Sequence, residues 1–449
     1  MAEKWNNKAL FRLLWPLLIE QFLAMTMGAA DTIMVSSVGE FAVSGVNIID
    51  NINNFFIIAF IALATGGTVV VSQYIGRQDH KNSCLASKQL IYIVTLVSFV
   101  IMVIVVVFRR PVISLFYGRI EDDVMNAAMI YLLITALSYP MLAIYNGCAA
   151  LFRASGNSRL PMRIAILVNA VNIGGNAFFI FGLRMGAAGV AVSTLLSRII
   201  AAAILLGMLV KTGHSPISLA GIRRVKVIPS MAMRILNVGV PTGLENSMFQ
   251  LGRLLTQRIF PFFGTSVMAA NAVTGVLNSF SFMTANAYCL ALLTVVGQCV
   301  GAGDYDAAKK HTVRIIKITW ITVFIITAFI FTFRRTLIGF FHLSPEAWAT
   351  ANLFFSIHCI FMVVGWTFSF ALPSALRAAG DVRYVMWVGS ISMWTVRVSA
   401  AYFLTFTLKI GPAGVWLAMG LDFISRSTFY LLRWRSGRWQ NKKVIDSPS

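Results

Sequence analysis

Twelve apolar runs, each long enough to cross a lipid bilayer as a helix, constrain this chain more than any other feature. The hydrocarbon core of a bilayer is about 30 Å thick and needs about 20 residues of helix. Approximate limits of the runs are 10–36, 46–72, 88–108, 127–151, 161–182, 187–209, 231–257, 266–297, 311–333, 347–376, 384–407 and 411–432. Backbone groups inside a bilayer cannot bond to water, so such runs must be helical. The sequence therefore predicts an all-α integral membrane protein with twelve transmembrane helices.

The composition excludes a water-soluble protein. Of the 449 residues, 58% are apolar and 12% are charged, whereas soluble domains have about 25% charged residues. The net charge of +21 does not indicate nucleic-acid binding, because the Lys and Arg residues lie between the apolar runs and not in one basic domain. The five cysteines are scattered without a CxxC pair, so we expect neither a disulfide framework nor a zinc site.

The distribution of Lys and Arg predicts the topology. With the N-terminus inside, the inner segments hold 25 of these residues and the outer segments hold 7. Positive residues favour the cytoplasmic side, so we predict that both termini are cytoplasmic. The N-terminal segment has no small-residue cleavage site after a short apolar core, so we expect the first run to remain as a membrane helix.

The two halves of the chain repeat each other. A shift of 225 in the numbering places VSQYIGRQD (71–79) on VGQCVGAGD (296–304). A shift of 224 places LFRASGNSR (151–159) on ALRAAGDVR (375–383). Each half holds six predicted helices, an even number, so both halves enter the membrane from the same side. Parallel repeats of this kind are a known design of transporters, although a repeat can also serve only to build a larger scaffold.

The repeat and one polar, basic segment predict the domain organisation. The segment KTGHSPISLAGIRRVKVIPS holds two prolines and two glycines and falls at the middle of the chain. We predict two six-helix parallel repeats around a central cavity. Their limits are an N-terminal lobe at 1–210, a cytoplasmic linker at 211–230 and a C-terminal lobe at 231–449.

Several segments resemble one family. The paired loops QYIGRQD and QCVGAGD resemble the loops after spans two and eight of the multidrug and toxic compound extrusion (MATE) family. Other similar segments are ADTIMVSSVGEFAVSGVNI (30–48), LFRASGNSRLP (151–161), NIGGNAFFIFG (172–182) and VPTGLE (240–245). The resemblance covers essentially the whole chain and is closest to the bacterial NorM-type branch. It implies a two-lobed antiporter that expels organic, often cationic, compounds in exchange for H⁺ or Na⁺.

The resemblance also implies roles for individual residues. Glu245 matches the seventh-span glutamate that couples the ion in NorM-type members, and Asp31 matches the first-span aspartate. Asn172 and Asn176 match the fifth-span N-x-x-x-N/D pattern, with an amide where the DinF-like branch has an acid. NorM-type members carry a tenth-span aspartate that helps to form a Na⁺ site, but the segment 362–375 holds no acid. This departure argues against a Na⁺ site of that type, and Glu245 or Asp31 stay the candidate Na⁺ ligands.

Acidic residues within the predicted spans are the candidate coupling residues on chemical grounds as well. Such residues are rare in spans and usually face a cavity or a partner. Burial disfavours the charged carboxylate, so the group can take up a proton or pair with a cationic substrate. If it cannot bind both at once, the exchange of proton and substrate is coupled. The acids are Glu20, Asp31, Asp50, Glu245 and Asp422.

Most of the polar residues within spans lie in the N-terminal half. Asp31 has no basic residue within a helical turn, and Asp50 forms a stripe with Asn47 and Asn54. With the fifth-span asparagines, these residues predict a hydrated pocket in the N-terminal lobe. At a shift of 225, Asp31 and Asp50 correspond to Thr256 and Gly275, so the C-terminal half keeps neither acid. The repeat is symmetric in fold and asymmetric in charge.

Structural roles are the alternatives for these residues. Asparagine within a span often only joins helices by hydrogen bonds. Glu245 could pair with Arg253 two turns later, and Glu20 corresponds to Glu245 in the repeat. Asp422 lies four residues before Arg426, a spacing that predicts an ion pair within one helix.

A secondary multidrug antiporter of the bacterial inner membrane, working as a monomer, is the leading hypothesis. There is no P-loop for ATP and no HExxH or GxSxG motif, so we predict neither an ATP-driven pump nor an enzyme. The expected substrates are organic, cationic or amphipathic compounds, and no cofactor is expected besides the coupling ion, H⁺ or Na⁺. The alternative is a flippase or exporter of a lipid-linked or anionic cargo. Arg253, Arg258 and Arg397, all within spans, keep that alternative open.

Overall fold

The helices of the protein lie where the apolar runs predict them. The computed structural model describes residues 4–38, 40–118, 121–211, 215–222 and 226–445, and none of these residues is in a strand. Within them are twelve long helical segments, here numbered in chain order. They are α1 (Asn7–Ser36), α2 (Glu40–Gly76), α3 (His80–Val107), α4 (Asp122–Leu137 and Tyr139–Ala154), α5 (Arg159–Gly182), α6 (Ala187–Lys211), α7 (Pro229–Gln257), α8 (Thr265–Gly301), α9 (Tyr305–Gly339), α10 (Pro345–Ala378), α11 (382–407) and α12 (Ala413–Arg435).

Most of these helices meet the requirements of a membrane span. Of the described residues, eight helices are long and apolar enough to cross a membrane, and a ninth span results if the two halves of α4, bent by 44° at Ser138, are counted together. The other three segments, α7, α11 and α12, are of similar length but more polar, and they include Glu245, Arg397 and Asp422. Glu245, Arg397 and Asp422 therefore lie on the helices that the apolar pattern marks least clearly, whereas Glu20, Asp31 and Asp50 lie on α1 and α2, which meet the requirements.

The chain forms two compact units. The N unit comprises Asn7–Gly243, and the C unit comprises Leu244–Ser449 with Met1–Asn6. Within the N unit, α1 packs against α5, and α2 packs against α3 and α4. Within the C unit, α8 packs against α9 and α10, and α12 packs against α10 and α11. The predicted limits of the lobes and the linker stay a prediction, because residues 212–214 and 223–225 of the linker lie outside the described residues. Arg119, which the topology prediction counts as an outer residue, also lies outside them.

The described part of the predicted linker is bound to α3. Tyr92 donates its hydroxyl to the carbonyl of Ile222 at 2.6 Å. Gln89 donates its amide to the carbonyl of Lys226 at 2.9 Å and accepts from the backbone N–H of Ile228 at 3.1 Å. A side chain that both donates and accepts holds one backbone segment in a single register. The entry into α7 is thus positioned by a helix of the N unit.

Helix breaks recur in both halves. A π-helical turn at Phe178–Gly182 ends α5, and a second one at Phe403–Thr407, the same segment at a shift of 225, ends α11. At the equivalent point of the fourth and tenth segments the halves differ. The chain bends at Ser138 in α4, whereas α10 continues through a π-helical stretch at Met362–Ala371. A π-helical stretch at Ser392–Val398 in α11 is a further difference, and such bulges are frequent at functional sites.

The paired loops QYIGRQD and QCVGAGD have the same local structure. Asp79 and Asp304 cap the N-termini of α3 and α9 by accepting from the backbone N–H of Asn82 (3.1 Å) and Ala307 (2.9 Å). Burial raises the pKa of Asp79, but hydrogen bonds from Asn82 outweigh burial and lower it. The loop motif therefore has a structural role in starting each third helix.

Loss of the Asp304 cap is expected to destabilise the protein. Replacing a capping aspartate by alanine costs about 1 kcal/mol, so Asp304→Ala should lower the melting temperature in detergent. Asp306→Ala is the matched control, because this exposed residue of the same turn only contacts Lys309 at 3.7 Å. An equal shift for both variants would contradict a capping role.

Candidate functional site

A buried glutamate–arginine pair occurs once in each half. In the N unit, Glu20 of α1 accepts from Arg153, at the end of α4, with 2.8 Å between Oε1 and Nη1. In the C unit, Glu245 of α7 accepts from Arg377, at the end of α10, with 2.9 Å and 2.8 Å from one Nη2 atom to its two oxygens. The repeat relates the two glutamates to each other, and it relates the two arginines in the same way. Each pair therefore joins the first helix of a repeat to the fourth.

The partner of Glu245 differs from the structural alternative considered above. Arg377, not Arg253, forms the salt bridge of Glu245, because the two helix ends meet in the fold although 132 residues separate them. Gly389 of α11 leaves room for this carboxylate, since a Cβ atom there would lie 2.8 Å from Oε1. Removing one partner of a buried pair leaves an uncompensated charge, which is costly. The salt bridge therefore fixes the carboxylate of Glu245 at the end of α10.

Asp31 lies in a network of amides in the N unit. Its Oδ1 accepts from Nδ2 of Asn176 at 2.5 Å, and Asn176 in turn lies 3.5 Å from Oδ1 of Asn172. Asn172 donates to Thr194 of α6 at 3.3 Å. Both asparagines are fully buried, whereas Asp31 is half-buried and forms no salt bridge with a described residue. The packing of α1 against α5 thus joins three of the predicted site residues.

Asp50 of α2 lies close to this network. Its Oδ1 accepts from the hydroxyl of Tyr131 at 3.3 Å, and its negative charge interacts with that of Asp31. One helical turn later, the buried Asn53 accepts from Tyr139 at 2.7 Å. Asn47 and Asn54 lie with Asp50 on an exposed face of α2.

Arg198 of α6 is a site residue that the sequence did not reveal. Its Nη1 donates to Ser138, at the bend of α4, at 2.6 Å. Its positive charge interacts with both Asp31 and Asp50. The sequence did contain one signal for Arg198, because this arginine lies in the middle of a span and has no acidic residue within one helical turn. The N unit thus brings two carboxylates and one guanidinium together around buried amides.

Asp422 forms the predicted intrahelical pair. Its Oδ1 lies 2.8 Å from Nε of Arg426, and it also accepts from Ser392 of α11 at 2.6 Å. The interpretation of this acid as a local partner is confirmed.

No group of three or more His, Cys, Asp or Glu residues that could hold a metal ion occurs among the described residues.

A sequence model of the family described as MatE matches this chain twice, at residues 16–178 and 241–403, which is more than half of its length. The chain belongs to the MATE family. The two matches are offset by the same shift of 225 that aligns the two halves. The family model therefore matches each half of this protein once, in the register of the repeat inferred from the loops.

Relatives of this MATE protein support the same placement. YisQ of Bacillus subtilis (strain 168), an uncharacterized transporter, is 29% identical over 444 residues, 97% of this chain and 95% of that protein. The probable multidrug resistance protein NorM of Thermotoga maritima is 29% identical over 456 residues, 98% of this chain and 94% of that protein. The predicted NorM-type branch is confirmed, and the protein is a transporter and not an enzyme.

The fold agrees with that of MATE proteins of known structure. A crystal structure of MATE in the bent conformation matches with a TM-score of 0.89 and 17% identity over 96% of each chain. The predicted fold class is confirmed by this likeness. At this identity the likeness extends to the path of the helices and not to the chemistry of the site.

Proposed function

We propose that this MATE protein is a secondary active multidrug efflux antiporter. It exports organic compounds that are cationic or amphipathic, in exchange for H⁺. The name of the NorM relative supports multidrug transport, and the positions of the acids support the ion coupling. A single chain supplies both repeats, so the protein works as a monomer. It lies in the plasma membrane with both termini cytoplasmic, as the distribution of Lys and Arg predicts.

The environment of Asp31 carries this proposal. The carboxylate is half-buried, accepts from Asn176 and has no salt-bridge partner among the described residues. Burial without an ion pair disfavours the charged form, so a proton or a cationic group can neutralise the carboxylate. Asp50 adds a second negative charge nearby, which favours binding of one positive species to the pair.

Competition for these carboxylates couples the two fluxes. When Asp31 binds a proton, it no longer attracts a cationic substrate, and the substrate leaves. When the proton leaves towards the cytoplasm, the charged carboxylate binds the next substrate. Asn172 and Asn176 orient the carboxylate, and the positive charge of Arg198 limits the excess of negative charge in the substrate-free state. The two lobes expose the site alternately to each side of the membrane.

Glu20 and Glu245 have a different role in this proposal. Each is paired with an arginine in the same position of its repeat, so we assign the exchange of protons to Asp31 and not to these glutamates. They join the first and fourth helices of each repeat and keep the repeats rigid as they move. This assignment also makes H⁺ the coupling ion, because the segment 362–375 of α10 holds no acid that could complete a Na⁺ site with Glu245.

Efflux under imposed gradients tests the proposed function. Vesicles containing the purified protein are loaded with ethidium, and a pH gradient or a Na⁺ gradient of equal size is applied. We expect efflux that follows the pH gradient and is abolished when an ionophore collapses it. Efflux driven equally well by Na⁺ without a pH gradient would contradict H⁺ coupling. Absence of any gradient-driven transport of ethidium and of a neutral amphipathic dye would contradict multidrug antiport.

A further inference from the structure

The repeat exchanges an amide for a charge at one buried position. At the shift of 225, Asn172 of α5 corresponds to Arg397 of α11. The side chain of Arg397 is 7% exposed, and its Nε atom is buried without a hydrogen bond to any described residue. It forms no salt bridge with a described residue either. Arg397 also lies in the π-helical stretch Ser392–Val398, which has no counterpart in α5.

A second buried arginine faces the same aromatic ring. The guanidinium carbons of Arg397 and Arg426 lie 5.4 Å and 5.2 Å from the centroid of the Phe249 ring. Arg426 is 3% exposed, and its Nη2 atom has no partner among the described residues although Nε binds Asp422. The positive charge of Arg253 also acts on Arg397. Arg253 itself is exposed, so two buried arginines, Arg397 and Arg426, share one carboxylate.

The charges of this cluster are not balanced by the protein. Asp422 offsets one of the two buried positive charges, so the buried cluster keeps a charge of one. An uncompensated ion in a protein interior costs several kcal/mol, and buried charges are normally paired. Arginine N–H groups that are buried without hydrogen-bond partners suit a carboxylate, sulfonate or phosphate group, which the planar guanidinium can bind with two hydrogen bonds.

Aromatic rings continue from the arginines into the C unit. Phe249 lies edge-on to Phe370 at 5.9 Å, and Phe370 stacks on Trp366 at 5.1 Å and 14°. The indole N–H of Trp366 is buried without a partner among the described residues. Phe249 and Phe370 are only partly buried, so they can contact a further aromatic group, and the unpaired indole N–H of Trp366 suits an acceptor.

We propose that the C unit contains a binding site for an aromatic organic anion. Arg397 and Arg426 bind the anionic group, and the partly buried Phe249 and Phe370 pack against the ring. The site is independent of the proposed exchange at Asp31, because it uses none of the N-unit residues. It gives this transporter a second class of ligand, opposite in charge to the expected substrates.

Equilibrium binding to the purified full-length protein in lipid nanodiscs tests this proposal. The probe is radiolabelled naphthalene-2-sulfonate, with the similarly sized cation N-methylquinolinium as the comparison. We expect Arg397→Gln to weaken naphthalene-2-sulfonate binding at least about tenfold, since a charged hydrogen bond contributes about 1.5–3 kcal/mol. Binding of N-methylquinolinium should not weaken in this variant. Arg258→Gln is the matched control, because this exposed arginine of the same unit lies outside the cluster.

Two further variants keep the test decisive if Arg397→Gln does not fold. Arg397→Lys retains the charge and should keep part of the affinity for naphthalene-2-sulfonate. Phe249→Leu leaves both arginines in place and should weaken the binding of this anion. No measurable binding of naphthalene-2-sulfonate, or equal affinities for the wild type and all cluster variants, would overturn the proposal. Displacement of the probe by low millimolar chloride would do the same, since it would identify a site for a small inorganic anion. None of these results depends on ethidium efflux, so failure here is distinct from failure of the proposed function.

Discussion

Replacing Asp31 by asparagine is expected to uncouple efflux from the pH gradient. Asparagine has nearly the same shape and can keep a hydrogen bond to Asn176, but it cannot exchange a proton or pair with a cation. Coupling between two ligands is typically about 1–3 kcal/mol, so the gradient-driven rate should fall by about 5–150-fold. Ethidium efflux from vesicles, normalised to the amount of protein, measures the effect at several values of internal and external pH.

The control for this prediction is Asp306→Asn. Asp306 is an exposed acid in the first turn of α9, and its side chain is 97% exposed beside Lys309. This variant should transport at the wild-type rate. Asp50→Asn should give an intermediate loss, because the second carboxylate only adds to the charge at Asp31. Efflux by Asp31→Asn that still follows the pH gradient would remove Asp31 from the coupling mechanism.

Replacing Glu245 by glutamine is expected to destabilise the C unit. The change leaves Arg377 buried beside a neutral side chain, and breaking a buried pair by removing one partner costs about 3–5 kcal/mol. We expect a large decrease in the melting temperature of the purified protein in detergent. Glu20→Gln should have a similar effect, because its pair with Arg153 has the same place in the N unit.

A double variant separates the structural role from coupling. Glu245→Gln combined with Arg377→Gln removes both charges, so it should recover part of the stability lost in the single variant. The pH dependence of its efflux should match that of the wild type if Asp31 carries the proton. A Glu245→Gln variant with unchanged melting temperature and lost pH dependence would instead support the ion-coupling role that the family resemblance implies for Glu245.

Residues that are close in sequence were paired correctly, and residues that are distant were not. Asp422 and Arg426 lie one turn apart on α12, so helical geometry alone predicts their contact. Glu245 and Arg377 lie far apart in the sequence, and no local pattern predicts their contact. The sequence nevertheless contains a signal, because both halves keep the glutamate and the arginine at almost the same spacing. Reading the repeat for pairs of opposite charge would have found both bridges.

Arg198 and Arg397 illustrate a second difference. Each is an arginine within a span, and the neighbouring helices determine which charges and rings lie near its guanidinium group. Arg198 lies near Asp31 and Asp50, which are on α1 and α2. Arg397 lies over Phe249 of α7 and has no acid at salt-bridge distance among the described residues. The apolar pattern of a span therefore does not distinguish two arginines whose surroundings differ in charge.

The sequence by itself determined the membrane class, the positions of the helices and the duplication. Hydrophobicity and register are properties of one segment at a time, and lipid allows only one backbone structure for an apolar run of that length. The tertiary structure alone decided which charges on different helices are paired, which form no salt bridge among the described residues, and which arginines lie over the same ring. Those relations depend on how each helix is rotated about its axis against its neighbours, and the apolar pattern of a span, which faces lipid as well as protein, does not define that rotation.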